Sequence, residues 1–244
     1  MKKIISFLVF IILWQAIVFI AQVNPVLFPS PLQVIFSLKS ANSLFIDIAS
    51  SLFRLVAGCM LGIIFGIIFG IATGYLSFLN ETIGCILNFF RFIPPLALVP
   101  LFLLWLGIGE TSKISLILWA SFFPVWVNSS HSIKEIEKKY YWVAKSLNVK
   151  KGFMIKNILF RGSLSAIMNG ARIGIGIGFS VLVAAELLGA YSGLGYRIGF
   201  LQSVYRVDLM VAYIVIVGCL GMIFDSIFLK LTKKVIPWEN DTSK

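Results

Sequence analysis

The 244-residue chain is 59% hydrophobic, has a mean hydropathy of +0.97 and carries a net charge of +11. Ordinary globular domains run at about 45–50% apolar residues, so this composition excludes a water-soluble globule and points to an all-α integral membrane protein. At about 20 residues per span there is room for roughly six helices and their loops, but not for a further large soluble domain.

The positive charge lies at the ends of apolar runs, where it sets topology and meets anionic lipid headgroups; no nucleic acid partner is expected. Cys59, Cys85 and Cys219 fall within apolar runs without a CxxC pair and read as packing residues.

Met1-Lys2-Lys3 ahead of the apolar run 4–21 predicts a first span with the amino terminus inside. The run is longer than a signal core, no small-residue cleavage site closes it, and Trp14 and Gln15 interrupt it. Asn24-Pro25 and Pro29-Ser30-Pro31 break the chain on the outer side, and 32–48 reads as an amphipathic stretch on the outer surface. The second span, 51–76, carries Gly58, Gly62, Gly66, Gly70 and Gly74, whose four-residue step makes one stripe that lets another helix approach closely.

After a short inner loop at 77–82, the third span, 83–106, contains Arg91, Pro94, Pro95 and Pro100. Proline removes intrahelical hydrogen bonds, and carbonyls freed inside lipid need protein or water instead. This helix is therefore expected to line a pathway or to bend against a neighbour. Gly107–Glu110 reads as an outer turn and 112–127 as the fourth span.

Residues 131–161, HSIKEIEKKYYWVAKSLNVKKGFMIKNILFR, form the most charged segment. Eight Lys and Arg against Glu135 and Glu137 put it on the cytoplasmic side by the positive-inside rule. Apolar residues recur at helical spacing at Tyr140, Val143, Ala144 and Leu147, and again at Phe153, Ile155, Ile158 and Leu159. Two short amphipathic helices on the membrane surface would give this pattern, either as a solvated topogenic loop or as a docking surface for a soluble partner. The fifth span, 166–189, places Gly170, Gly174 and Gly178 on one face and includes Arg172 and Glu186. An external segment at 191–207 leads to the sixth span, 209–229, whose trailing Lys230, Lys233 and Lys234 put the carboxyl terminus inside.

Arg91, Arg172, Glu186 and Asp225 stand out as ionisable residues at membrane depth. Each costs about 2.5–3.5 kcal/mol at mid-bilayer on insertion scales, so each should face protein or water. Arg172 and Glu186 lie about 21 Å apart along one helix and cannot pair. Arg172 is expected to meet a headgroup or a backbone carbonyl, while for Glu186 structural hydrogen bonding and pathway lining are both open. HExxH, a P-loop and a nucleophile elbow are all missing, and His131 is the only histidine, which favours a transport subunit over an enzyme. The rival is an ion-gradient-driven secondary carrier, against which stands the lack of a chain of intramembrane carboxylates.

Four blocks carry a family resemblance: FPSPLQVIFSL (Phe28–Leu38), RFIPPLALVPLFLLWLGIGETSKI (Arg91–Ile114), FFPVWVNSS (Phe122–Ser130) and ARIGIGIGFSVLVAAELLGAYSGLGYRI (Ala171–Ile198). In this order they resemble the permease subunits of binding-protein-dependent ABC importers, in the nitrate/sulfonate/taurine (NitT/TauT-like) branch, over nearly the whole chain. The resemblance implies a single 1–244 permease domain with six transmembrane helices in the type I ABC importer (MetI-like) fold. The implied setting is a bacterial cytoplasmic membrane, with both termini cytoplasmic. The implied partners are a second permease copy in a homodimer, or a related one, an external solute-binding protein and a cytoplasmic ABC ATPase dimer. ATP and Mg would sit on the ATPase, with no cofactor on this chain. The implied solute is a sulfonate, nitrate, taurine or a heterocyclic vitamin precursor.

The same resemblance makes 131–161 the ATPase-coupling loop, with Tyr140, Trp142, Val143, Ala144, Leu147, Asn148 and Ile158 as its candidate residues. The family pattern is E-A-A, three residues, Gly, nine residues, then I-x-L-P. Ala144 and Ile158 match it, whereas Trp142, Asn148 and Arg161 stand where the family has Glu, Gly and Pro. Asn tolerates the left-handed turn that Gly would supply. Arg91, Pro94, Pro95, Pro100, Glu186 and Gly189 are the residues expected along the translocation pathway.

Overall fold

The computed structural model describes residues 2–20, 24, 26–147 and 149–237, and all regular structure among them is helical. Pro25 and Asn148 lie outside the described residues, as do the side chains of Trp142 and Ala144. Helix α1 (Lys2–Ile20) leaves Phe10, Ile12, Phe19 and Ile20 exposed, the surface a lipid phase stabilises. Helix α2 (Pro31–Ser37) starts at a reciprocal cap: the Gln33 N–H donates to Ser30 Oγ, and the Ser30 N–H donates to Gln33 Oε1. A single 3₁₀ turn, Leu38–Ser40, follows it.

Helix α3 (Leu44–Tyr75) has 32 residues and begins well before the expected boundary at 51. The polar residues that suggested a surface stretch do not stop it, because Asp47 and Ser51 find partners inside the protein. The expected loop at 77–82 contains α4 (Ser77–Glu81), which leads to α5 (Ile83–Arg91). The expected continuous span 83–106 is broken. Pro94 is extended, a 3₁₀ turn covers Pro95–Leu98, and α6 (Val99–Leu106) leaves at 87° to the Ser77–Arg91 segment. Successive prolines remove two donors, and the first pushes Ile93 away from helical backbone angles.

Helix α7 (Glu110–Ser146) runs for 37 residues, about 55 Å, through the expected end of the fourth span at 127. The first of the two short helices expected in 131–161 is thus its distal part. It persists because Ile133 is buried with Leu159 and Met154, packed by Ile71, Tyr75 and Ile136. One turn, α8 (Lys151–Phe153), and a π-helical run, Met154–Leu159, pass directly into α9 (Phe160–Gly189). Helices α10 (Leu194–Ser203) and α11 (Val207–Val235) complete the chain.

Helix α3, the run Met154–Gly189 and α11 are long and apolar enough to cross a membrane, and the bent pair makes a fourth candidate. Helix α7 is less apolar because protein rather than lipid surrounds it, with Ser112, Ser121, Ser129 and Ser130 buried. It is the central post of the fold. Gly58, Gly62, Gly66, Gly70 and Gly74 of α3 face Ile117, Ser121, Val125, Ser129 and Ile133 of α7 in step. A Cβ on Gly58 would come within 2.6 Å of the Ile117 Cβ, and one on Gly66 within 2.7 Å of the Val125 Cβ. From the other side, a Cβ on Gly174 of α9 would sit 2.8 Å from the Ser121 carbonyl oxygen. Small residues on both flanking helices thus clasp α7 at Ser121.

Candidate functional site

At the Glu110 end of the bundle, five helices meet in a buried polar node. Arg54 of α3 is its hub, and all its donors are used. Its Nε and Nη2 hold Glu110 of α7 at 2.6 and 2.8 Å. Its Nη1 donates to Glu186 Oε1 at 2.6 Å and to the Ser192 carbonyl at 2.7 Å, and Nη2 reaches Ser192 Oγ at 3.3 Å. Glu186, 0% exposed, also accepts the Ser51 hydroxyl and the Gly195 N–H. Next to it, Asp47 accepts from the Gly193 N–H, Arg197 Nε and the Tyr213 hydroxyl. Two carboxylates therefore sit at the first turn of α10, where exposed backbone donors and the helix dipole favour negative charge.

Within the node, the Glu186 carboxylate ties α3, α9 and α10 together inside the protomer. Arg54 and Asp47 are the residues that reasoning from the sequence missed. Arg54 sits within the expected second span, and Ser51 lies one turn before it; an arginine in a glycine-rich apolar helix was the available signal. Asp47 gave none, since its stretch reads as an outer surface.

The other pathway candidates are scattered. Pro94, Pro100 and Arg91 are exposed on the bent pair, with the Arg91 guanidinium 5.1 Å from the Phe92 ring centroid. Gly189 is buried at the end of α9, where a Cβ would fall 2.6 Å from Leu103 Cδ2, so it brings α9 against α6. Pro95 opens the 3₁₀ turn between the two halves of the bent pair. The expected lipid or carbonyl contact of Arg172 is replaced by a partner on α11: its Nε and Nη2 grip Asp225 at 2.5 and 2.8 Å.

At the opposite end, the last turns of α7 and the residue that follows them present Tyr140, Val143 and Leu147 to solvent, with Leu147 71% exposed. Spacings of three and four residues put them on one helical face. Phe153 is exposed as well. Ile158 does not share that surface; it packs into the cluster of Ile133, Met154 and Leu159. Among the coupling residues expected from the sequence, the structure therefore separates an open apolar face from an inward anchor.

Known proteins resemble this chain in both sequence and fold. Residues 62–237 match the family model described as binding-protein-dependent transport system inner membrane component. The chain is 32% identical over 243 residues to the putative aliphatic sulfonates transport permease protein SsuC of Bacillus subtilis, covering 98% of this chain and 88% of that one. It is 30% identical to the taurine transport system permease protein TauC of Escherichia coli, with 96% and 88% covered. The nitrate import permease protein NrtB of Synechocystis is 28% identical, with 81% and 72% covered. Among solved structures, a chain of the inward-facing MetNI methionine ABC transporter superimposes with a TM-score of 0.64 at 16% identity, covering 80% of this chain and 98% of that one. That likeness shows the fold.

Proposed function

This chain belongs to the family of binding-protein-dependent transport system inner membrane components, the transmembrane permease subunits of ABC importers, and from that premise we propose how it works and what it carries. The solute is a small oxyanion of the sulfonate, taurine or nitrate kind, the cargo named for its relatives. An external binding protein delivers it, and two copies of the chain form the pathway between them. ATP and Mg are bound by a separate cytoplasmic ABC ATPase dimer, so this subunit performs no hydrolysis itself. Both termini and the Ser146 end of α7 face the cytoplasm, in keeping with the basic residues of 131–161 and Lys230, Lys233 and Lys234.

The observation that carries the coupling assignment is the exposed face Tyr140, Val143 and Leu147. Apolar side chains at helical spacing on a segment this charged favour a protein partner over water. Since α7 is continuous from there to Glu110, with Pro124 inside it, movement of the docked ATPase would travel along one helix into the glycine-clasped centre. A two-state tilt of α7 against α3 and α9 would then alternate the access of the pathway.

The test is extraction of the tagged chain in mild detergent and mass spectrometry of what travels with it. An ABC ATPase is expected with the native chain and is expected to be lost from Leu147→Asp and Tyr140→Asp chains that still fold. A native chain that emerges without an ATPase, under conditions that keep other importers whole, overturns the proposal.

A further inference from the structure

Two guanidinium–carboxylate pairs lie inside the helical spans, and burial sets them apart. Arg54 and Glu186 are sealed, with side chains 3% and 0% exposed. Arg172 of α9 and Asp225 of α11 are 44% and 43% exposed. A sealed pair is fixed, because separating it strands a charge without water. An exposed one exchanges readily wherever water reaches it, because water and ions replace each partner.

The exposed pair also stands at a junction. On one side, a cavity of about 320 Å³ opens between α9 and α11, walled mainly by apolar groups such as Ile175, Phe179 and Phe228. On the other, a cavity of about 540 Å³ is lined by the polar side chains of Asn128, Ser132, Asn169 and Thr232. Arg172 lines both, while Asp225 lines only the first.

We propose that Arg172 is an oxyanion-selecting residue of the translocation pathway, with Asp225 as its exchangeable internal counter-ion. This rests on the permease reading above. The two nitrogens that now hold the Asp225 oxygens form a planar fork, whose spacing suits the paired oxygens of a sulfonate or nitrate as well as those of a carboxylate. A passing anion takes the place of Asp225 on the fork, and Asp225 returns when the anion moves on. The resident carboxylate keeps the site weak, as a pathway requires: an unopposed guanidinium would hold the anion instead of releasing it. It also keeps the span close to neutral between passages, which limits the cost of an ionisable residue at membrane depth.

The test uses the complex of the native chain with its ATPase in phosphatidylcholine nanodiscs, which keep anionic headgroups away from the cavities. Methanesulfonate and nitrate are titrated at constant ionic strength against chloride, with the melting temperature as readout. The native complex is expected to gain stability with either oxyanion. Arg172→Gln is expected to weaken that binding at least tenfold, and Arg172→Lys, which keeps the charge without the fork, by a smaller factor. Asp225→Asn removes the competitor and is expected to bind about tenfold more tightly, and it carries the test should Arg172→Gln not assemble. Preference for methanesulfonate over nitrate would mark an organic sulfonate pathway, and equal response a general oxyanion one. Absence of any oxyanion response in the native complex, a response that Arg172→Gln retains, or unchanged affinity in Asp225→Asn overturns the proposal. These failures differ from failure of the permease reading, which shows as a native chain that neither binds its ATPase nor alters its hydrolysis.

Discussion

Gly195 donates its backbone N–H to Glu186 Oε2 at 2.8 Å, across the turn that joins α9 to α10. The other carboxylate oxygen accepts Arg54 at 2.6 Å, and the Ser51 hydroxyl lies within 2.8 and 2.9 Å of the two oxygens. One side chain thereby fixes the position of three helices, and its worth depends on Arg54 being paired.

Breaking that pair from one side should be severe. Glu186→Ala removes one of the two carboxylates that Arg54 holds at 2.6 Å and leaves the buried guanidinium with Glu110 and the Ser192 carbonyl, a change that costs up to about 3–5 kcal/mol. Because Arg54→Ala removes the same interaction, the double variant should lose less than the sum, with a coupling of about 0.5–3 kcal/mol. Denaturant unfolding of the four proteins in mixed micelles measures it, and strict additivity would contradict the pairing.

The turn beside the pair needs a residue without a side chain. Gly193 has φ of +116°, and a Cβ there would come within 2.5 Å of the Glu186 carboxylate carbon. Gly193→Ala should cost about 1–3 kcal/mol from backbone strain alone, before the clash with the carboxylate is counted. Gly218→Ala, where nothing lies within 4 Å, should unfold as the native protein does. Equal melting temperatures for the two variants would refute the tight turn.

The clasp around α7 makes a parallel prediction. Gly66→Ala places a methyl 2.7 Å from Val125 Cβ and 2.9 Å from the Phe122 carbonyl oxygen, with rigid backbone on one side. Overpacking of this kind costs about 1–3 kcal/mol, and the helices should separate rather than repack. Distances between spin labels on α3 and α7 should lengthen in this variant and stay unchanged in Gly221→Ala, which meets open space.

Acid should weaken the Glu110 contact. Glu110 lies at the head of α7, outside the expected fourth span, and its hydrogen bond from Arg54 holds its carboxyl below the ordinary carboxylate value. A depressed folded pKa contributes stability that is present above the unfolded value and is lost as pH falls through the folded one. The native melting temperature should therefore drop on acidification more steeply than that of Glu110→Gln, with the gap closing below the ordinary carboxylate range. Glu110 is half exposed, so the gap should be small and should shrink with salt. Superimposable profiles would show that the contact contributes nothing.

Local patterns are legible in the linear chain. The four-residue glycine step announces a packing face, the prolines of 94–100 announce a pathway lining or a bend, and the 140–143–147 spacing announces a helical face. Each is a short-range steric or periodic rule that neighbouring residues write together. The long-range facts are hidden for the same reason. Nothing near Gly62 names Ser121 as its partner, and nothing near Pro94 sets an 87° bend.

Sequence alone determined that this chain is a membrane-embedded permease of the binding-protein-dependent type, because apolar length, charge placement and ordered family blocks are properties of the linear chain. Tertiary structure alone decided which charges are paired with which. Arg54 and Glu186 are 132 residues apart, and Arg172 and Asp225 are 53 apart. No local rule distinguishes the pair that is locked in protein from the pair that faces a cavity. Burial does, and burial exists only once the helices have packed.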